Sequence, residues 1–453
     1  MNTFKKNIYP LLVLAIPLAL TGLIQSSVFF FQTLFIAHLG QAALAAGALV
    51  SWVFGTLFVI LFGTLSSINV LVAHKHGAND EHSVSLIVRD GLWLAIFLSA
   101  PAFLLFWNIS PLLAFAGQNQ AIVQLSTSYL HAMAWGLLPS FIMIALLDVM
   151  IGLGRTRHIL FFNIVSVSLN NVFSFALIFG KFGLPALGLD GAGWGMTISY
   201  WITAILLGAT VLMRHEYKSY FRHVMTPTQK SYLLELLRIG LPMGAMYCVE
   251  VAFFLTLSLL MGSFGNQLLA ANQITLQYVG IFTSVIFSIA QAITVRMGHL
   301  LGAGDVGSSA TAGYVGTFLA LACMMIVAIV YCFYPEKLIS IDINIHSPEN
   351  SNLIHHAKQF LMIGALFQIS EAIRLSLFGA LRGLKDTNFT LLISILSFWG
   401  IALPVGYLLA TYFHLAGAGL WWGMVLGSII GVSLLTFRFK SKIKNYQGSL
   451  IAR

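Results

Sequence analysis

Long apolar runs, each closed by a short polar or glycine-containing break, recur along the whole chain. They lie at 9–37, 45–73, 90–114, 127–152, 158–180, 190–213, 232–262, 267–297, 311–334, 356–380, 388–412 and 416–437. A helix crosses the bilayer core with about 20 apolar residues. The twelve runs therefore predict twelve membrane-spanning helices, several long enough to tilt or project. The first run is too long for a cleaved signal peptide, and its end, FIAHLG, lacks the small-residue cleavage pattern.

Composition agrees with this pattern. Of 453 residues, 58% are apolar and only 8% charged, with a mean hydropathy of +0.90. A soluble chain is about 45–50% apolar and about a quarter charged. These values exclude a soluble enzyme, a disordered chain and a disulfide scaffold. The expected class is an all-α polytopic membrane protein with twelve transmembrane helices. Cys248, Cys323 and Cys332 all fall inside apolar runs, where they read as small hydrophobes.

The net charge of +9 would suit a nucleic-acid partner, but the positions of the charges argue against one. If the helices alternate, nineteen of the 23 Lys and Arg residues fall on one side. Only Lys181, Lys337 and Lys358 fall on the other, and Arg374 lies within a span. Basic residues mark the cytoplasmic side, so both termini are expected there, in a bacterial-type inner membrane. The partners expected are membrane lipid and small molecules, with no nucleic acid, and the chain reads as a monomer.

The longest polar stretches surround 214–231 and 335–355. The first lies near the midpoint and divides the chain into 1–213, a linker 214–231, and 232–453. The halves repeat one another. At an offset of 225, LAAGALV at Leu44 faces LAANQIT at Leu269, Pro17 faces Pro242, and Gly40 faces Gly265. Later, GLGRT at Gly152 answers GLKDT at Gly383. Two pseudo-symmetric six-helix bundles are predicted, crossing the membrane in the same sense. Such a parallel repeat provides the geometry of alternating access in secondary transporters.

No GxxxxGK[ST] phosphate loop accompanies the spans, so the energy source expected is an ion gradient. Ion coupling needs an acid near mid-membrane, and such acids are seldom incidental. Glu250 stands twelve residues past Arg238, about 18 Å along a helix. Glu371 is central in its span as well. No basic residue lies one helical turn from Glu250, so it reads as the acid without a permanent counter-ion. Arg374, three residues past Glu371, can meet it on one helix face. If that pair forms, Glu371 stays charged and Glu250 alone couples. Asp148, nearer the cytoplasmic end, reads as structural, with help expected from Arg155, Arg157 or water.

Polar uncharged residues occupy the same spans: Asn272, Gln273, Asn170, Asn171, Ser174, Gln25 and Gln32. Packing between helices is their commoner role, with support of the coupling acids the other reading. A few of the 35 Phe and 15 Met could line a pocket for large organic cations through their ring faces.

Taken in order, several segments resemble the multidrug and toxic compound extrusion (MATE) transporters. They are LAIPLALTGLIQ, VLVAHKHGAND, ITVRMGHLLGAGD, GLGRTR, GALRGLKDT and GKFGLPALGLDGAG. CVEVAFF and QISEAI are similar to the NorM-like branch. The resemblance implies an antiporter, not an enzyme, exporting cationic amphiphilic compounds (drugs, toxins) in exchange for Na⁺ or H⁺. No further cofactor is implied. It places the cation site, Na⁺ included, at Glu250 and Glu371 of the second half; the support expected from Asn272, Gln273, Arg374, Asn170, Ser174 and Gln32 rests on their own polarity within the spans. Gln32 and Ser174 stand where that family carries aspartates, which moves the expected coupling to the second half.

Three other readings compete. A lipid-linked oligosaccharide flippase on a related scaffold would favour a basic interior for pyrophosphate, and only Arg374 is available. An inert anchor would need neither a duplication nor midplane acids. A membrane enzyme would need a reactive constellation, for which His74, Lys75 and His76 are the nearest candidate.

Overall fold

The structure is a computed structural model that describes residues 2–115, 117–222, 231–345 and 347–451. Among these, every regular element is helical. Lipid leaves no other choice for an open chain, because each backbone N–H and C=O must be satisfied within its own segment. Eleven helices are long and apolar enough to cross a membrane, and a bent pair completes twelve. The chain is thus an integral, multi-pass membrane protein.

Two compact units form. One runs from Leu20 to Gly244; the other combines the residues before Leu20 with those from Ala245 onward. The limits cut the first helix and the helix that opens the second half. The halves expected at 1–213 and 232–453 thereby trade their leading turns. Residues 223–230, most of the expected linker, lie outside the described residues.

The first unit begins within α1 (Asn2–Ala37) and continues through α2 (Gln41–Leu65), α3 (Ser67–Gly77), α4 (Glu81–Trp107) and α5 (Ser110–Phe115). There follow α6 (Gln120–Ala134), α7 (Leu137–Gly152), α8 (Thr156–Phe179), α9 (Leu189–Met213), the short α10 (His215–Lys218) and the start of α11 (Leu233–Ser263). The fourth span, predicted as the run 127–152, is bent, because α6 and α7 meet at 51°. Pro139 lacks an N–H and crowds the carbonyl four residues before it, so the helix breaks at Trp135–Gly136. Thr197 Oγ1 donates to the Ala132 carbonyl there, at 2.7 Å.

The second unit continues α11 and adds α12 (Asn266–Gly302), α13 (Val306–Phe333), α14 (Pro335–Asp342), α15 (Ser351–Gly383), α16 (Thr387–Ser394), α17 (Leu403–Thr411) and α18 (Ala416–Ile451). α15 is its axis, packed by α12, α13 and α18. Between α16 and α17, residues Ile395–Ala402 form a wide π-helical turn. Pro404 removes the donor that an α-helix would need at this point, and the local widening absorbs the mismatch. Glycines of α18 let this turn approach. A Cβ at Gly423 would stand 2.4 Å from the Ala402 carbonyl, and one at Gly427 2.3 Å from the Ser397 carbonyl.

The 225-residue repeat survives as geometry. Gly40 and Gly265, at matching positions, both have positive φ (104° and 128°) just before a helix. Asp80 caps α4 by accepting from Ser83 N at 3.0 Å, and Asp305 caps α13 by accepting from Ser308 N at 2.9 Å.

Candidate coupling site

Three charged side chains meet inside the second unit: Glu250 on α11, and Glu371 and Arg374 on α15. Glu371 and Arg374 are one turn apart, as their spacing implies. Arg374 Nε donates to Glu371 Oε2 at 2.8 Å, and its Nη2 donates to Glu371 Oε1. The expectation that Glu250 lacks a counter-ion fails here. Arg374 Nη1 donates to Glu250 Oε1 at 2.9 Å. The partner lies 124 positions away on another helix, so the spacing of residues along α11 gives no sign of it.

The guanidinium is fully buried, Glu371 is 4% exposed and Glu250 8%. Arg374 also lies over two rings, 4.7 Å from the centroid of Phe378 and 4.6 Å from that of Phe398. The quadrupoles of such rings favour a cation. Two hydroxyls complete the cluster. Ser394 Oγ donates to Glu250 Oε1 at 2.9 Å, and Ser428 Oγ to Glu371 Oε2 at 3.4 Å. Ser394 closes α16 immediately before the π turn, and Phe398 lies within that turn. Ser394, Ser428, Phe378 and Phe398 carry no signal in a single sequence beyond being polar or aromatic in an apolar span.

The charges do not cancel. Two carboxylates face one guanidinium, which leaves one negative charge in excess when both acids are ionised. Three of the four carboxylate oxygens hold partners, and Glu250 Oε2 has none among the described residues. Breaking such a buried network from one side is costly, whereas adding one cation completes its neutrality.

The remaining expected residues divide between the units. Asn272, on α12, accepts from Trp421 Nε1 at 3.2 Å, while its own amide nitrogen has no partner among the described residues. Gln273 is exposed and does not join the cluster. In the first unit, α1 and α8 share two amide contacts: Gln25 donates to Asn163 at 2.7 Å and Gln32 to Asn170 at 3.4 Å. Ser174, one turn past Asn170, is buried, and its hydroxyl has no partner among the described residues. No acid stands in this ladder, in keeping with the amide and hydroxyl at positions 32 and 174. Asp148 does not receive Arg155, which pairs with Glu216 at 3.6 Å, nor Arg157, which is exposed. Its one donor among the described residues is Asn69, at 2.7 Å.

The model of the MatE family matches residues 17–176 and 242–408. The chain is 35% identical over 432 residues to the probable multidrug resistance protein NorM of Burkholderia mallei, covering 95% of this chain and 92% of that one. To the multidrug resistance protein NorM of Burkholderia vietnamiensis it is 34% identical, covering 95% and 93%. Among solved structures, a eukaryotic MATE transporter superposes with a TM-score of 0.83 over 99% of both chains at 20% identity. A MATE in a bent conformation gives 0.88 over 97% and 96%, at 16% identity. Those identities speak for the fold alone; the family match and the curated relatives carry the classification. The chain belongs to the MatE family, as a transporter of its NorM-like branch and not an enzyme.

Proposed function

We propose that the protein exports cationic amphiphilic organic compounds in exchange for protons, with Glu250 as the group that exchanges one cation for the other. The observation that carries this reading is the uncancelled charge of the Glu250–Arg374–Glu371 cluster. A carboxylate in oil is stable when neutralised, and the cluster lacks one positive charge. A proton on Glu250 Oε2 supplies it through a covalent bond and needs no other ligand. A sodium ion on the same carboxylate would stand beside the Arg374 guanidinium and be repelled by it. An organic cation delocalises its charge and competes for Glu250 as a diffuse counter-ion. Binding of drug then releases the proton, and the return of the proton releases the drug. Alternating access of the two halves couples the exchanges.

The multidrug names of the relatives support the substrate class, and the excess negative charge suits cationic cargo. The one-sided distribution of basic residues supports both termini in the cytoplasm, with a plasma or inner membrane as the site of action. Nothing in the cluster calls for a second copy of the chain.

Dye efflux from proteoliposomes under separately imposed pH and sodium gradients tests the reading. A pH gradient alone should drive efflux, and Glu250→Gln should abolish it. Efflux driven by sodium alone would replace the proton with Na⁺ at the same acids.

A further inference from the structure

Gln368 and Tyr331 are fully buried in the second unit. Each retains a polar atom without a partner among the described residues, Gln368 Oε1 and Tyr331 Oη. Neither belongs to the charged cluster. An unsatisfied polar atom in a dry interior is costly, and ordered water is its ordinary partner.

Their places in the fold form a line. Gln368 projects from α15 into the seam with α12 and α13, its Nε2 at 3.5 Å from Thr283 Oγ1 and 3.4 Å from Met324 Sδ. Tyr331 lies seven residues past Met324 on α13, about 10 Å along the helix, with its ring 6.0 Å from Phe282 of α12. Nearby on α12, the Tyr278 hydroxyl donates to Asp342 Oδ2 at 2.7 Å and lies 2.8 Å from the Leu338 carbonyl. Asp342 is exposed, at the end of α14. In the other direction, Gln368 precedes Glu371 by one turn of α15, so the two share a side of the helix. Polar groups thus run from an exposed acid, past Tyr278, Tyr331 and Gln368, to the carboxylate of Glu371. A seam needed only for packing could hold Phe and Leu at 331 and 368.

We propose that this seam is a hydrated file conducting the coupling proton between solvent at Asp342 and the Glu250–Arg374–Glu371 cluster, within the second unit. The proposal rests on the proton-coupled reading of that cluster. Water hydrogen-bonded to Tyr331 Oη and Gln368 Oε1 bridges distances too long for direct transfer, and Asp342 raises the local cation concentration at the mouth.

The test uses the full-length protein in proteoliposomes, with dye export measured against proton concentration on the Asp342 side. Gln368→Leu and Tyr331→Phe should each raise the proton concentration for half-maximal export by about tenfold, the scale of one lost polar partner. Dye affinity in detergent should not change, and Gln368→Asn should restore most of the response. Wild-type proton dependence in both variants would overturn the file, while inactivity of Glu250→Gln would leave the coupling site standing. Hydroxyl-radical labelling of the unaltered protein does not depend on how any variant folds. Tyr331 should be oxidised severalfold faster than Tyr129, which is 2% exposed in the other unit. Equal protection of the two tyrosines would show a dry seam and sink the proposal, whatever the variants do. If Glu250→Gln exports with normal proton dependence, the coupling reading itself fails, and the labelling alone judges the file.

Discussion

Arg374 Nη1 stands 2.9 Å from Glu250 Oε1, across 124 positions of sequence, and this contact changes what either residue can do alone. Glu250 is not a solitary acid in oil, and Arg374 is not simply the internal partner of Glu371. Together they form a cluster with three charges and one uncompensated sign. Competition for that remaining charge supplies the coupling in the proposed exchange.

Removing the guanidinium should be worse than removing the whole network. Arg374→Met leaves two buried carboxylates facing one another, and breaking a buried ion pair from one side costs about 3–5 kcal/mol. Thermal unfolding of the detergent-purified variant should show the loss. Adding Glu371→Gln to Arg374→Met should recover much of it, a coupling that a double-mutant cycle reads directly.

Ser394→Ala removes the hydroxyl that donates to Glu250 Oε1. A hydrogen bond to a charged group contributes about 1.5–3 kcal/mol. Export should fall clearly but persist, because Arg374 still holds the same oxygen. Initial efflux rates measure it, with Ser394→Thr as the restoring variant.

Gly427 permits the π turn to lie against α18. A Cβ there would meet the Ser397 carbonyl at 2.3 Å and Ala402 Cβ at 2.8 Å, so even Gly427→Ala forces backbone to move. Overpacking of this kind costs about 1–3 kcal/mol. Detergent stability should drop, and Gly427→Leu should reduce folded protein in the membrane further.

Asp80 and Asp305 cap α4 and α13 at equivalent places of the repeat. Replacing either with Ala should cost about 1 kcal/mol, and the two losses should add because the caps belong to separate units. The Asp80 cap also predicts an acid response. Partial burial pushes its carboxyl up, but bonds from Ser83 and the nearby Lys75 hold it below the ordinary aspartate value. A carboxyl lowered in the folded state stabilises above its unfolded value, and that contribution is lost as pH falls through the folded one. Wild type should therefore lose more stability than Asp80→Asn on acidification below about pH 4.

Gln32→Ala disrupts a neutral amide contact to Asn170 and should slow export far less than Glu250→Gln. Efflux rates normalised to membrane-inserted protein compare them, and equal losses would move coupling into the first unit.

Much of this was legible in the chain before folding. Run lengths specify spans, and the offset between Gly40 and Gly265 specifies the repeat because both positions need the same unusual backbone. Two central glutamates mark the site because acids rarely lie so deep. What was hidden depends on packing direction. Helical spacing joins Glu371 to Arg374, but only the folded chain shows that Arg374 also reaches Glu250, 124 positions away. Ser394 enters the cluster from the last turn of α16, immediately before the wide turn, and no periodicity encodes where that turn aims. The break at Gly136 follows from Pro139, yet hydropathy alone reads straight through it.

The central claim is that Glu250 gives up one proton when a cationic compound binds. A pH-indicator titration of the purified protein in weak buffer measures this directly. The account predicts close to one proton released per bound dye by the wild type, and none by Glu250→Gln despite residual binding. Undiminished release from Glu250→Gln, or dye binding by the wild type with no proton released, would contradict it.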